Sequence, residues 1–311
     1  HLLEALGPAL RAPLHRRAAL AVEAAYAADL KAYAAVLAEH WLQAGDEAQA
    51  GRWALIAARQ ALNSSAPREA RALFLQALAC RAHEQADNPA KALADLYMDL
   101  GRAHYALSDY VEARRWQAEA HAAYAALNDR LGLGEALGLL AEIYMRQGDE
   151  AQAERFAQES LALYREAGAR VKEGYALMNL GVIAAQRGDT AQARDLFQAC
   201  HAIMQTDGQP IDRARALNNL GAIHDLLGDL EQAAAYLNES LALRRQIDDR
   251  GGIAYCLVNL GAIAMARGQL AEARQLVDDG LALLRQVGEQ MAVGAALGML
   301  AEIALKAGDR A

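Results

Sequence analysis

The stretch NLGVIAAQRGDTAQA (Asn179–Ala193) is written again 40 residues later as NLGAIHDLLGDLEQA (219–233) and once more as NLGAIAMARGQLAEA (259–273). Weaker or partial copies keep the same 40-residue spacing and begin at Asp99, Leu139 and Met299. A fixed period of this length is the signature of an array in which each repeat is one supersecondary unit stacked on its neighbours. The sequence therefore predicts a repeat protein.

Each copy has the pattern of two helices joined by a tight turn. Leu177, Leu180 and Ile183 recur at helical spacing and form one apolar stripe. Small residues recur where two helices are expected to touch: Gly101, Ala141, Gly181, Gly221, Gly261 and Ala301 on the first helix, and Ala113, Ala153, Ala193, Ala233 and Ala273 on the second. A large side chain at these positions would push the two helices apart, so each copy is predicted to be a helical hairpin.

The turns of the hairpins also repeat. Glycine tolerates the left-handed conformation that ends a helix, and aspartate caps the next helix through its side-chain oxygen. The first turn reads Gly-Asp at 148–149, 188–189, 228–229 and 308–309, with Ser108-Asp109 and Gly268-Gln269 as variants. The second turn places residues that favour turn conformations at Asn128, Gly168, Gly208, Asp248 and Gly288.

The composition agrees with packed helices and limits the function. Hydrophobic residues make up 54% of the 311 residues but aromatic residues only 5%, so the apolar content is largely alanine and leucine, which favour helices. A net charge of −8 argues against nucleic acid as the main partner, because phosphate binding depends on a surplus of lysine and arginine.

The location is predicted to be the cytoplasm. The cysteines Cys80, Cys200 and Cys256 are scattered and form neither a disulfide framework nor a zinc motif. No signal peptide opens the sequence and no apolar run reaches the roughly 18 residues of a membrane span, so no membrane partner is expected. The first residue is His1, from which an excised boundary within a longer protein is expected.

The search for chemistry gives no catalytic residue, cofactor or metal site. GLGEALG (Gly132–Gly138) has the wrong spacing for a dinucleotide fingerprint and is interpreted as a turn. The histidines do not form an i, i+4 pair with a nearby carboxylate. Cys200 and His201 are adjacent on a helix, so their side chains diverge and cannot act as a nucleophile pair. The chain is predicted not to be an enzyme.

The repeated pattern resembles the tetratricopeptide repeat (TPR), which has Leu-Gly on helix A, a small alanine early in helix B and a large apolar residue four positions later. That last position holds Phe197, Leu237 and Val277, but Ala157 and Gln117 in the earlier copies. The usual repeat has about 34 residues and often ends with proline. The longer, proline-free repeat of this chain resembles the type found in cell-polarity adaptors and bacterial regulators. The resemblance implies an all-α fold, a right-handed α-solenoid of stacked antiparallel helix pairs.

The N-terminal part is out of phase with the array. Residues 40–79 still alternate helices, but their turn at 64–67 comes early. The segment from Leu10 to Tyr26, followed by AEHWLQAGD, resembles the part that leaves the ATPase and winged-helix region of large bacterial signalling ATPases of the maltose-regulator and cyclase-linked types. We therefore predict an irregular helical domain over 1–86 and a regular array over 87–311 whose last repeat is incomplete.

The resemblance also implies a binding surface. Helix A residues line the concave side of a TPR solenoid, and asparagines two positions before the glycine hold a peptide backbone in the polarity adaptors. The matching positions are Asn179, Asn219 and Asn259, with Asp99 in the first copy. Helical spacing adds Asn218, Tyr175, Arg215, Tyr255, Glu142 and Arg102 to this face. The alternatives are that the asparagines contact only water or a neighbouring helix, and that Tyr175 and Tyr255 pack between repeats.

Two functions remain open. The first is a protein- or peptide-binding module, the sensor or interaction region of a bacterial multidomain regulator. The second is architectural self-association, as a dimer or by end-to-end stacking, because the last helix is apolar on more than one face.

Overall fold

A computed structural model describes residues 8–308, which form fifteen α-helices and two short 3-10 helices, without a strand. The 3-10 helices are Leu30–Tyr33 and Ala82–Gln85. In chain order the α-helices are α1 (Pro8–Ala25), α2 (Ala34–Gln43), α3 (Glu47–Asn63), α4 (Pro67–Ala79), α5 (Pro89–Ala106), α6 (Tyr110–Ala126), α7 (Arg130–Gln147), α8 (Glu150–Glu166), α9 (Arg170–Gln186), α10 (Thr190–Asp207), α11 (Pro210–Leu226), α12 (Leu230–Gln246), α13 (Arg250–Ala266), α14 (Leu270–Val287) and α15 (Gln290–Ala307).

The helices from α5 onward keep the period read from the sequence. First helices begin at Pro89, Arg130, Arg170, Pro210, Arg250 and Gln290, and a second helix follows each of the first five after a short turn. The predicted fold class, an all-α solenoid of stacked antiparallel helix pairs, is confirmed.

The chain divides into two compact units, one up to Leu163 and the other from Tyr164 onward. We call them the first and the second unit. The division differs in position from the sequence boundary at 86/87, and the separation of an irregular segment 1–86 from the array 87–311 stays a prediction.

Aspartate caps open the helices as the turn pattern predicts. Asp189 and Asp229 each accept a hydrogen bond from the backbone N–H three residues later, at 3.1 and 3.2 Å. Gly188 and Gly228, which end the preceding helices, have φ of +83° and +79°. The expected cap Asp309 lies outside the described residues.

One of the second turns has a different backbone. Asn128, Gly168, Asp248 and Gly288 have positive φ, whereas Gly208 has φ −83° and ψ 152°. Pro210 begins α11, and a residue before proline is pushed toward extended conformations. The turn is therefore extended through Gln209. The backbone N–H of Gln209 donates a hydrogen bond of 3.2 Å to the Asp212 carboxylate.

The repeated small residues lie where two helices meet. A Cβ atom added at Gly221 would be 2.5 Å from Cγ of Leu237, and one added at Gly181 would be 2.5 Å from the ring of Phe197. Real side chains do not approach this closely. The close contact of the first and second helices in these two repeats therefore depends on Gly181 and Gly221.

The interpretation of Gly132–Gly138 as a turn is wrong, because α7 begins at Arg130 and these residues are helical. Their glycines serve close packing instead. A Cβ at Gly132 would lie 2.4 Å from the Tyr124 ring, and the carbonyl of Gly134 accepts a 2.8 Å hydrogen bond from Ser160.

The out-of-phase N-terminal helices contain a hairpin of the same kind. Ala58 on α3 and Ala70 and Phe74 on α4 are fully buried in one cluster with Leu96 and neighbouring residues of α5. This hairpin matches the regular repeats, because it has a small residue on the first helix (Ala58), an alanine on the second helix (Ala70) and a large ring four positions later (Phe74). Helices α3 and α4 thus lead directly into the array.

No helix between residues 8 and 308 combines the length and the apolar character that crossing a lipid bilayer requires.

Candidate functional site

The three predicted asparagines lie on the first helices of successive repeats in the second unit, and all are half-buried. They do not form one uniform row. Asn259 Nδ2 donates to Oδ1 of Asn218, 3.3 Å away on the preceding first helix. Asn219 instead borders a cavity. Asn218 is thus used to join two repeats, while Asn219 faces a site that a ligand can enter.

The cavity beside Asn219 is lined mainly by apolar side chains and encloses about 290 Å³. We call it the apolar recess. Helices α9 and α11 provide its sides, and α10 contributes the Phe197 ring. The lining residues are Val182, Ala185, Gln186, Phe197, Asn219, Ala222, Ile223 and Leu226. Leu226 is 66% exposed, so its apolar surface at the cavity is accessible to a ligand. The recess therefore offers apolar surface with two amides, those of Asn219 and Gln186.

The predicted aromatic positions have separate roles. The Tyr175 hydroxyl donates a 2.6 Å hydrogen bond to Asp212 on the next first helix. Burial and the Asp212 carboxylate raise the pKa of Tyr175 to about 12, so the phenol stays protonated and the bond persists at physiological pH. Tyr255 is 42% exposed and Arg215 is exposed. Tyr175 thus joins adjacent repeats, in keeping with the packing alternative.

The first unit brings two of the predicted residues, Asp99 and Arg102, into another cavity. It encloses about 420 Å³, and we call it the polar cavity. Its lining is Arg59, Leu62, Asn63, Asp95, Met98, Asp99, Arg102, Tyr124 and Glu135. Glu142, which was expected on the same face, is half-buried and is not part of this lining.

Ion pairs run across the polar cavity from one first helix to the next. Arg59 Nε on α3 lies 2.9 Å from Asp99 Oδ2 on α5. Arg102 on α5 lies 3.7 Å from Asp99 Oδ1 and 3.1 Å from Glu135 Oε2 on α7. Burial raises the pKa of Asp99 although both guanidinium groups act in the opposite direction.

Sequence reasoning missed the other seven lining residues of the polar cavity, among them the charged or phenolic side chains of Arg59, Asp95, Tyr124 and Glu135. A signal existed for two of them, because Asp95 and Glu135 hold the repeat position that Tyr175 and later residues hold in the second unit. Arg59 lies in α3, which is out of phase with the array, so the 40-residue period does not relate Arg59 to a position in the other repeats. Tyr124 comes from a second helix, and its hydroxyl donates to Asp95 at 2.7 Å.

The described residues contain no group of three or more histidine, cysteine, aspartate or glutamate side chains placed to hold a metal ion. Burial raises the pKa of the Cys200 thiol to about 12 and also raises the pKa of Cys256. Both thiols are therefore protonated at neutral pH, which makes them poor nucleophiles.

Two protein families match parts of this chain. The family described as MalT-like TPR region matches residues 134–311, and the family described as tetratricopeptide repeat matches residues 92–166. No curated protein sequence matches the chain.

Several solved structures share the fold. The signal transduction ATPase with numerous domains and a tetratricopeptide repeat sensor from Pyrococcus horikoshii has a TM-score of 0.63 and 16% identity, over 88% of this chain and 41% of that one. A Rap protein complexed with competence and sporulation factor has a TM-score of 0.62 and 13% identity, over 88% and 82%. NprR in complex with its cognate peptide NprX has a TM-score of 0.62 and 14% identity, over 80% and 72%. At these identities the likeness shows a common TPR fold.

Proposed function

The chain belongs to the MalT-like TPR region family, and from this premise we propose that it is a protein- or peptide-binding module whose ligand occupies the apolar recess of the second unit. The observation that carries the proposal is the position of the half-buried Asn219 at the edge of a cavity lined by Val182, Ala222 and the largely exposed Leu226.

The chemistry of the recess suits an extended peptide. A peptide backbone presents N–H and C=O groups that a side-chain amide can satisfy at the same time, because the amide carries donors and acceptors. Asn219 and Gln186 provide such amides. An apolar peptide side chain would remove Leu226 and Val182 from water, and burial of apolar surface is the main favourable term in association. The ligand is therefore a segment with an apolar anchor residue.

The solved relatives support this class of ligand. NprR is described in complex with its cognate peptide NprX, and the Rap protein is described as complexed with competence and sporulation factor. The Pyrococcus horikoshii ATPase is described as having a tetratricopeptide repeat sensor, and this chain matches 41% of it. These relatives favour a sensor region of a multidomain regulator, in which occupancy of the recess is relayed to the rest of the protein.

The test begins with a random peptide library selected on the immobilised 311-residue chain. Fluorescence anisotropy then gives the dissociation constant of a selected peptide for the wild type, Leu226→Arg and Asn219→Ala. We expect Leu226→Arg to weaken binding at least tenfold, because a central apolar contact is replaced by a charge. Asn219→Ala should weaken binding severalfold through the lost backbone hydrogen bonds.

Two matched controls lie away from the recess. Val111 on α6 is 65% exposed, so Val111→Arg introduces the same charge on an equally exposed apolar position. Gln198 on α10 is exposed, and Gln198→Ala removes an amide outside the recess lining. Both controls should bind like the wild type. Equal affinity of the wild type and Leu226→Arg would refute the placement of the ligand.

Self-association remains a second candidate because α15 exposes two leucines, Leu297 at 44% and Leu305 at 78%. Light scattering of the chain at high concentration would show a dimer or larger species that Leu305→Glu dissociates. A monomer at every concentration would contradict this function and leave the peptide-binding proposal untouched.

A further inference from the structure

The carboxylate of Asp225 lies at an unfavourable position on α11. It is half-buried, and burial raises its pKa. It also lies in the last turn of α11, where the unpaired carbonyl groups carry a partial negative charge that repels an anion. Both features disfavour the charged form, so a carboxylate at this position destabilises the free chain unless a cation lies beside it.

The part of the chain that the structure describes supplies no such cation. No lysine, arginine or histidine among the described residues forms an ion pair with Asp225, and burial is the cause of its raised pKa. At Asp99 in the first unit, by contrast, Arg59 and Arg102 act against the effect of burial. The Asp225 carboxylate therefore keeps its capacity to pair with a cation that comes from outside the chain.

Asp225 also departs from the residues at the equivalent position of the other repeats. Steps of 40 residues lead from it to Tyr105, Met145, Ala185 and Met265, none of which is charged at neutral pH. The packing of the repeats therefore does not require a carboxylate at this position.

Asp225 borders the apolar recess on the side of α11 that faces α13. It lies three residues after Ala222 of the recess lining, and residues three apart are neighbours on a helix surface. Asn218, two turns before Asp225 on the same face, accepts a hydrogen bond from Asn259 of α13. A ligand that leaves the recess across α11 toward α13 would therefore pass the carboxylate.

The residues of α13 next to this path are small. The positions that correspond to Ala222 and Leu226 hold Ala262 and Ala266 on α13, and Ala266 is exposed. Two alanines leave room beside α11 for a long ligand side chain.

We propose that the peptide held in the apolar recess carries a lysine or arginine whose side chain pairs with Asp225. The proposal rests on the peptide-binding function and adds the charge of one ligand residue to it. A helix is about 10–12 Å across and an extended chain advances about 3.3 Å per residue, so the basic residue lies about three positions from the apolar anchor.

A ligand cation relieves both unfavourable features of Asp225. It forms a charge-assisted hydrogen bond with the carboxylate, and positive charge is favourable at the C-terminus of a helix. The apolar anchor provides the burial of apolar surface, and the basic residue determines which anchored peptides bind best.

The first experiment repeats the selection from the random peptide library on the wild-type 311-residue chain, on Asp225→Asn and on Asp195→Asn. Asp195 on α10 is the matched control, because its side chain is 65% exposed, pairs with Arg194 at 2.7 Å and is not part of the recess lining. Lysine or arginine should be enriched about three positions from the apolar anchor on the wild type and on the control, but not on Asp225→Asn.

The second experiment measures the pairing itself. Fluorescence anisotropy gives the affinity of one selected peptide, and of the same peptide with its basic residue replaced by glutamine, for each protein. Asp225→Asn should weaken the basic peptide about fivefold, because a half-exposed charge pair is lost, and should change the affinity of the glutamine peptide less than twofold. Asp195→Asn should bind both peptides like the wild type.

Asp225→Asn should melt no lower than the wild type, because it removes a half-buried carboxylate from a helix C-terminus. A residue that served only the fold would give a lower melting temperature instead. Circular dichroism melts therefore separate loss of binding from loss of structure.

The proposal is overturned if the selection enriches no basic residue, or if Asp225→Asn affects both peptides equally or neither. When Leu226→Arg still weakens the peptide in those cases, the peptide-binding function stands and only the role of Asp225 fails. If Leu226→Arg leaves binding unchanged, the placement in the recess fails and this proposal fails with it.

Discussion

The two units use the same repeat positions for different chemistry. Two residues before the small helix-contact residue, the first unit has Asp99 and the second has Asn219. One residue after the small residue, the first unit has Arg102 and the second has Ala222. The outcome is a cavity of ion pairs in one unit and an apolar recess with amides at its edge in the other.

The comparison shows which part of a repeat is constrained by helix packing. The small residues at the contact of the two helices, such as Gly181 and Gly221, recur because a side chain would collide with the second helix. The open face of the first helix meets no such limit, so its residues differ between repeats. The repeated interior therefore builds the fold, and the open face is where the two units differ.

The largest expected effect comes from a change in the repeated interior. Gly221→Val should lower the free energy of unfolding by about 2–3 kcal/mol, because its side chain would collide with Leu237. Urea denaturation followed by circular dichroism measures the change. Gly298→Ala on α15 is the control, since its Cβ would meet nothing within 4 Å. That substitution should stabilise by about 0.5–1 kcal/mol through helix propensity. Equal effects of the two substitutions would contradict the role given to the interior glycines.

A pair of variants tests whether peptide binding is confined to the second unit. Leu226→Arg should weaken the selected peptide at least tenfold, whereas Arg59→Gln, in the first unit, should change its affinity less than twofold. Fluorescence anisotropy measures peptide binding by both variants. If Arg59→Gln weakens the peptide as much as Leu226→Arg does, binding is not confined to the apolar recess.

The variant turn at Gln269 allows a smaller test within the second unit. Gln269 makes no side-chain cap, whereas Asp189 at the same repeat position bonds the N–H of Gln192 at 3.1 Å. Gln269→Asp should therefore stabilise by about 0.5–1 kcal/mol, and the reverse change Asp189→Gln should destabilise by a similar amount. Thermal melts of the two variants would contradict the capping account if both shifted in the same direction.

The smallest expected effect is a dependence on pH that has opposite sign at two aspartates. Burial raises the pKa of Asp99. Its contribution to stability is therefore present below its unfolded pKa and is lost as pH rises through the folded pKa. The melting temperature of the wild type, relative to Asp99→Asn, should fall between pH 4 and pH 7.

Asp129 should show the reverse. Burial acts to raise the pKa of Asp129, but the hydrogen bonds from the Gly132 N–H and from Lys91 together outweigh it and lower the pKa. Its contribution is present above the unfolded pKa and is lost as pH falls through the folded pKa. The wild type, relative to Asp129→Asn, should therefore gain stability as the pH rises from about 2 to about 5. The same sign for both aspartates would contradict the environments assigned to them.

The sequence predicted the fold well because the 40-residue period is expressed in every repeat from α5 onward. Leu177, Leu180 and Ile183 defined the apolar stripe of a first helix, and Gly188-Asp189 defined its end. The glycines of 132–138 were misread because a glycine that permits close packing within a helix looks like one that bends the chain. Only the structure shows that Gly132 lies against Tyr124.

The candidate sites were less accessible to sequence reasoning. Helical spacing identified Asp99, Arg102 and Asn219 on the open face, but it could not show that Asn218 and Asn259 would bond to each other. Arg59 was missed because α3 is out of phase with the array. Leu226 was missed because an apolar residue at the end of a helix is ordinarily assigned to the core.

The most direct test of the peptide-binding recess is photo-crosslinking. A benzophenone amino acid is introduced at Ala222, within the recess, or at Ala235, exposed on α12, and each protein is irradiated with a selected peptide. The account predicts a covalent adduct at position 222 that excess unlabelled peptide suppresses, and none at position 235. A crosslink at 235 but not at 222 would place the ligand on another surface and contradict the central claim.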